Sequence, residues 1–262
     1  MIKSLLEKYT YGWKMRTLWI VLHLVLLFSI ITAPEYFWYS FAWGCITTMI
    51  GGFAGWHRYW AHRSYQTGRK RQVLLLWWGA LGFPGKPLAT IGGHRLHHKY
   101  SDVEGMDIHS PREKSWWENL MGFYEDFPPE RRIFKDLYMD PQVRFMQRYY
   151  FQIITVAMII LFLIDPILPG YVLGITGVYQ FWVGTFGIVH LLHIFGKPEH
   201  DTGDDSKNNW FLALITFGEG WHNNHHNNSL SYTTQEKWYQ FDPTGLIIKY
   251  IIATDLKYDR IY

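Results

Sequence analysis

Eight of the thirteen histidines fall into three short runs: "HRYWAH" (His57, His62), "HRLHH" (His94, His97, His98) and "HNNHH" (His222, His225, His226). In an H-x-x-H-H pattern the members at i, i+3 and i+4 share one helical face, so their imidazoles can converge. The i to i+5 spacing of the first run instead spreads its pair over roughly 140° of a 3.6-residue helix. That pair is expected to meet at a metal held off a helix end, with other segments completing the ligand set. A lone histidine on an apolar face is usually structural, and His23 is read that way. Three runs together are different, because burying so many imidazoles without a metal leaves many donors and acceptors wanting partners.

Imidazole suits Zn, Cu, Fe and Ni alike, so ligand type does not choose the metal. Number does more: eight or nine histidines exceed one tetrahedral site, which takes three or four ligands, and fit two metals with open positions. No H-E-x-x-H run accompanies them, which favours oxygen activation over metal-assisted hydrolysis. The carboxylate-bridged di-iron set of ferritin-like proteins needs two Glu-x-x-His motifs plus two further Glu. The chain has one such motif, Glu219 to His222. A single Cys45 excludes a disulfide framework and thiolate sites. The net charge of +3 is too small to suggest a nucleic-acid partner.

These runs need elements to hold them, and the hydropathy pattern supplies membrane helices. Four apolar stretches approach the ~20 residues that cross a bilayer: about 17–33, 36–56, 149–168 and 171–195. Short turns at Pro34-Glu35 and from Asp165 to Gly170 pair them into two hairpins. Four Lys and Arg lie in residues 1–16, fifteen in 57–148 and six in 197–262, while the two tight turns carry only Glu35 and Asp165. Basic residues sorted this way put both termini and the long middle segment on the cytoplasmic side. A cleavable leader over residues 1–33 also fits the basic start and apolar run, but cleavage would strip the second helix of its partner. The stretch "VLLLWWGALGFPGKPLATIGG" from Val73 is broken by Pro84, Lys86 and Pro87, and is expected at the interface or beneath the bundle.

In order and placement the three runs resemble the membrane-bound fatty acid desaturases, in their first-desaturation, delta-9-like branch and bacterial style. The resemblance covers about Gly44 to Trp238, and rests on "GFAGWHRYWAHRSY", "GGHRLHHKYSDVEGMDIHSP" and "TGDDSKNNWFLALITFGEGWHNNHH". It implies an all-α membrane protein of four transmembrane helices in two hairpins, under a helical cytoplasmic cap (about 57–148 and 196–262), as one domain over 1–262. It further implies a di-iron centre bound by nine histidines: His57, His62, His94, His97, His98, His222, His225, His226 and, in "HLLHIFG", His193.

The implied reaction is the O2-dependent insertion of a cis double bond into a saturated acyl chain carried on lipid or CoA. Electrons would come from ferredoxin or cytochrome b5 with its reductase, since no His-Pro-Gly-Gly haem motif follows Gln240. Two positions depart from the family pattern. Where many relatives hold an iron-bound water with Asn, this chain has Val189; His190 is the nearest candidate to supply that contact or a ligand. Where animal acyl-CoA members carry Arg-Asp, it has Gly92 and Gly93, which favours a lipid or other carrier.

Asp102 and Asp107 are candidates to orient ligand imidazoles, or else belong to a solvated loop. Asn223, Asn224, Asn227 and Asn228 either share that task or form turns. Trp56, Trp60, Trp77 and Trp78 line an acyl tunnel or simply pack. A membrane hydroxylase or ketolase with the same metal chemistry, and a non-catalytic metal-binding membrane protein, remain as alternatives.

Overall fold

The computed structural model describes residues 12–82, 85–107, 109–122 and 132–256. Pro84 of the expected break, and the expected cap segments 123–131 and 257–262, lie outside the described residues. Among the described residues the chain is helical, with isolated bridges (such as Lys197 to Asn208) in place of strands.

Three helices are long and apolar enough to cross a membrane: α1 (Gly12–Thr32), α7 (Pro141–Ile164) and α8 (Pro169–His193). The second apolar stretch forms α2, whose first part Phe37–Thr47 is α-helical and whose continuation Thr48–Ala61 winds in the wider i→i+5 pattern. This element does not stop at residue 56 but runs on through His57. α7 likewise starts eight residues before the expected 149, where Asp140 caps it by accepting from the Gln142 and Val143 amides, with Pro141 at the first turn.

Polar side chains tie the hairpins together through backbone carbonyls near the helix ends and turns. Ser29 donates to the Ile167 carbonyl (2.8 Å), Ser40 to Tyr171 (2.7 Å), Trp43 to Val172 (2.9 Å), and the Tyr171 hydroxyl returns to Ala33 (2.6 Å). Such bonds matter in lipid, where no water competes for the carbonyl.

The last part of the stretch from Val73, after the proline break, opens the next helix, and its first part belongs to α3 (Arg69–Ala80), which packs against the wide part of α2. The crossing is close because glycines face one another. A Cβ on Gly51 would come 2.6 Å from the Gly79 nitrogen, and one on Gly79 2.0 Å from the Trp56 ring. The remaining elements that hold the histidines are short: α4 (Pro87–Tyr100), α5 (Trp116–Gly122), α6 (Lys135–Met139), α9 (Trp210–Ile215), α10 (His222–Asn227) and α11 (Pro243–Ile252). They are anchored through arginines. Arg95 donates to the Ala61, Trp60 and Ile133 carbonyls and to Asp136, binding α4 to the end of α2 and to α6.

His23 has the structural role expected of it: Nδ1–H donates to the Trp19 carbonyl (2.7 Å), and Nε2 accepts from the Trp182 indole (3.0 Å).

Candidate metal centre

The wide winding of α2 changes what the i to i+5 spacing means. In an i→i+5 helix residues five apart come round to the same side, and the His62 amide bonds the His57 carbonyl at 3.2 Å. The two rings accordingly sit with centroids 4.9 Å apart on one side. The 140° separation holds only for 3.6-residue winding, which this segment does not adopt.

All nine histidines converge, in two groups. His57, His62, His94, His98 and His225 form one; His97, His193, His222 and His226 form the other, and within each the facing nitrogens lie within 4.8 Å of one another. The groups do not follow the sequence runs. In each H-x-x-H-H run the i and i+4 members go together (His94 with His98, His222 with His226), and the i+3 member, His97 or His225, goes to the opposite group. At 100° per residue, i+4 lies about 40° from i on one side and i+3 about 60° on the other, so the shared face divides.

Within the five-histidine group, Nε2 of His57 lies 3.0 Å from Nε2 of His225, His62 is 2.8 Å from His94, and His225 is 3.0 Å from His98. In the other group His193 and His222 are 3.2 Å apart through the same atoms. Nitrogens ~2.1 Å from one ion are separated by about 3.0 Å at right angles and about 3.4 Å in a tetrahedron. The observed edges fall in the range expected of imidazole nitrogens gathered around one ion. Nε2 of His97 and of His226 are buried with no partner among the described residues, as atoms aimed at a cation would be.

Carboxylates set the tautomers. His193 Nδ1–H donates to Asp102 (2.7 Å), His97 to Asp107 (2.9 Å) and His226 to Asp204 (2.7 Å), which leaves each Nε2 bare. Asp102 sits at φ +56°, a left-handed conformation that Asp tolerates, just past the end of α4. Its other oxygen accepts from Ser110 (2.6 Å). Around the five-histidine group the arrangement is different. His57 Nδ1 lies 2.9 Å from Glu219, which Arg58 also holds. The four-histidine group thus has three aspartates, and the five-histidine group one glutamate shared with a cation.

Burial drives the imidazoles of His62, His94, His98, His222 and His225 well below the usual histidine range, reinforced by their neighbours. Burial also lowers His226 to about 4 despite Asp204. His97 goes the other way: burial lowers it, but Asp107, with Asp102 and Asp204 behind it, raises it. Burial pushes Asp102 up, but the His193 bond wins and brings it to about 2. Most imidazoles are therefore neutral at physiological pH, the form that binds metal.

Asp204 and Arg58 were not singled out in the sequence, and Glu219 was noted only for its spacing to His222. For Asp204 the doubled Asp of "TGDDSKNN" was the available signal; for Arg58 there was none, because its partners lie far along the chain. His190 turns away from both groups: its Nδ1 is 2.8 Å from the Asn119 amide of α5. Asn223 and Asn224 are buried and tie α10 to residues 199–206 and 234–240 rather than to the imidazoles, while Asn227 and Asn228 are exposed.

A cavity runs from His57, His94, His97 and His222 between α2, α4 and α8. Of the four tryptophans considered as tunnel walls, Trp56 lines it. Trp60, Trp77 and Trp78 instead donate to Gln72, Gln142 and Thr47 and belong to the packing.

Known proteins are similar to this chain in sequence. Residues 36–240 match the family model described as fatty acid desaturase. An sn-1 stearoyl-lipid 9-desaturase of Anabaena variabilis is 30% identical over 267 residues, which cover 94% of each chain. Delta-9 acyl-lipid desaturase 2 of Arabidopsis thaliana is 32% identical over 241 residues (86% of this chain, 77% of the relative), and acyl-CoA desaturase 1 of Saccharomyces cerevisiae 31% over 252 residues (91% and 46%).

Proposed function

This chain belongs to the fatty acid desaturase family, and from that premise we propose how it carries out the family's reaction. It is an oxidoreductase that desaturates fatty acyl chains. In our reading the nine histidines hold two irons: His57, His62, His94, His98 and His225 one, and His97, His193, His222 and His226 the other. The observation that carries this is the convergence of nine imidazoles into two groups whose facing nitrogens lie within 4.8 Å of one another, four pairs of them 2.8 to 3.2 Å apart.

Bound iron, with O2 as co-substrate, supplies the oxidising power that unactivated C–H bonds demand. The chain's own residues do the rest. Asp102, Asp107 and Asp204 hold the imidazoles in the tautomer that presents Nε2. Trp56, Ile91 and Ile188 line the cavity beside the histidines, where they would exclude water and hold one methylene pair in reach.

The carrier is proposed to be a glycerolipid. Gly92 supports this: a Cβ there would fall 1.6 Å from the Phe134 ring, so a side chain like that of the acyl-CoA members has no room. We further propose one domain over 1–262 and four spans, with α2 as the second. Both termini and the histidines would face the cytoplasm, and electrons would come from ferredoxin or cytochrome b5 with its reductase. The uncharged run from Tyr36 to Trp56 and the sorting of Lys and Arg support this arrangement.

The test is the lipid profile of a desaturase-deficient host expressing the chain or its His94→Ala variant, with double bonds located by mass spectrometry. A new monoene that the variant fails to make is expected. Hydroxylated acyl chains in its place would refute desaturation, and purified protein without iron would refute the site.

A further inference from the structure

The cavity beside the histidines has a polar group where an acyl site needs none. Gln180 of α8 lies thirteen residues before His193, well inside the apolar span, and lines the same cavity as His57 and His94. Its carboxamide oxygen is buried and has no hydrogen-bond partner among the described residues. Polar groups at bilayer depth are costly and usually functional. Space has been kept for this one. A Cβ on Gly184 would fall 2.3 Å from the Gln180 amide nitrogen, and a Cβ on Gly52 of α2 would lie 3.4 Å from its oxygen. With α2 and α8 both running toward the histidines, Gly52 and Gln180 mark the end of the cavity away from them.

We propose that Gln180 is the end-stop that sets how long a saturated chain the site accepts beyond the reacting methylenes, an inference that rests on the desaturase reading above. A chain that stops short of Gln180 leaves room for a water, which can satisfy the carboxamide oxygen. A chain long enough to reach it displaces that water and offers only methyl and methylene groups, so the oxygen is buried unpaired. Each added methylene that would otherwise gain from burial in an apolar pocket is instead opposed. The effect depends on polarity as well as size, and so differs from a wall of bulky apolar side chains.

The experiment feeds a desaturase-deficient host a ladder of saturated fatty acids, from shorter to longer than stearate, and expresses the full-length wild type, Gln180→Leu or Gln180→Asn. Leu keeps the volume and removes the polarity; Asn keeps the amide but withdraws it by one methylene. Both variants are expected to raise the ratio of long-chain to short-chain monoene by about tenfold, with iron content unchanged in the purified protein. Leu and Asn variants that retain iron but keep the wild-type length profile would overturn the proposal, as would an equal loss at every chain length. Should Leu fail to load iron, the Asn profile alone decides, in either direction. A wild type that makes no monoene from any chain would instead remove the desaturase reading itself, and this inference with it.

Discussion

Replacing Arg58 by Met should unfasten the three segments that meet behind the five-histidine group. Arg58 is 1% exposed, and the carboxylates it serves, Glu219 and Asp242, have fully buried side chains. Its Nε donates to Glu219 (3.0 Å), its two terminal nitrogens fork onto Asp242 (2.9 and 3.0 Å), and one also reaches the Tyr232 carbonyl (3.0 Å). Asp242 in turn accepts from Thr233, from the Thr234 amide and from the Gly245 amide at the start of α11. The guanidinium therefore links α2, the loop before α10 and α11. Met fits the volume but strands two buried anions. Breaking a buried pair on one side costs about 3–5 kcal/mol. At roughly 2–4 °C per kcal/mol for a chain of this length, the melting midpoint should fall on the order of 10 °C. The assay is thermal unfolding in detergent, with iron content measured alongside. Arg58→Lys should also lose stability, because one ammonium cannot reproduce the fork. A Met variant that melts within a degree or two of wild type and keeps its iron would refute the argument that this ion network holds the site.

Asp204→Asn should weaken one metal position and spare the other, since Asp204 bonds only His226 of the four-histidine group. A loss of ~10–100-fold in affinity for one of the two equivalents is expected in a metal titration, and uniform weakening of both would argue against the two-group arrangement. Metal-stripped protein should lose stability as pH falls from about 6.5 towards 4. Over that window the unfolded chain binds protons that the folded chain refuses at His62, His94, His98, His222, His225 and His226, the last lowered to about 4. His97, raised by Asp107, opposes them as one group against six. A melting midpoint that rises on acidification would contradict this sign. Gly92→Ala should destabilise by about 1–3 kcal/mol through overpacking against Phe134, and Phe134→Leu in the same chain should recover part of it in a double-mutant cycle. Purely additive effects would show that the two do not meet.

Apolar run length, turn residues and the sorting of Lys and Arg made α1, α7 and α8 legible without coordinates, because these are properties of the chain over twenty or so residues. The nine histidines were legible for the same reason: eight announce themselves by local spacing, and His193 by the resemblance of its surroundings. The tertiary structure decided how those nine divide. The i→i+5 winding that brings His62 back over His57 has no short-range sequence signature that the 3.6-residue rule would reveal. His97 and His225 leave their own runs because the angular offset between i+3 and i+4 becomes a choice of group only once α4 and α10 face each other. The partners that fix the tautomers are likewise long-range: Asp102 and His193 are 91 residues apart, and Arg58 and Asp242 are 184 apart. Which carboxylate meets which imidazole or guanidinium follows from how the helices pack, and a linear pattern contains residue types and spacings but not that packing.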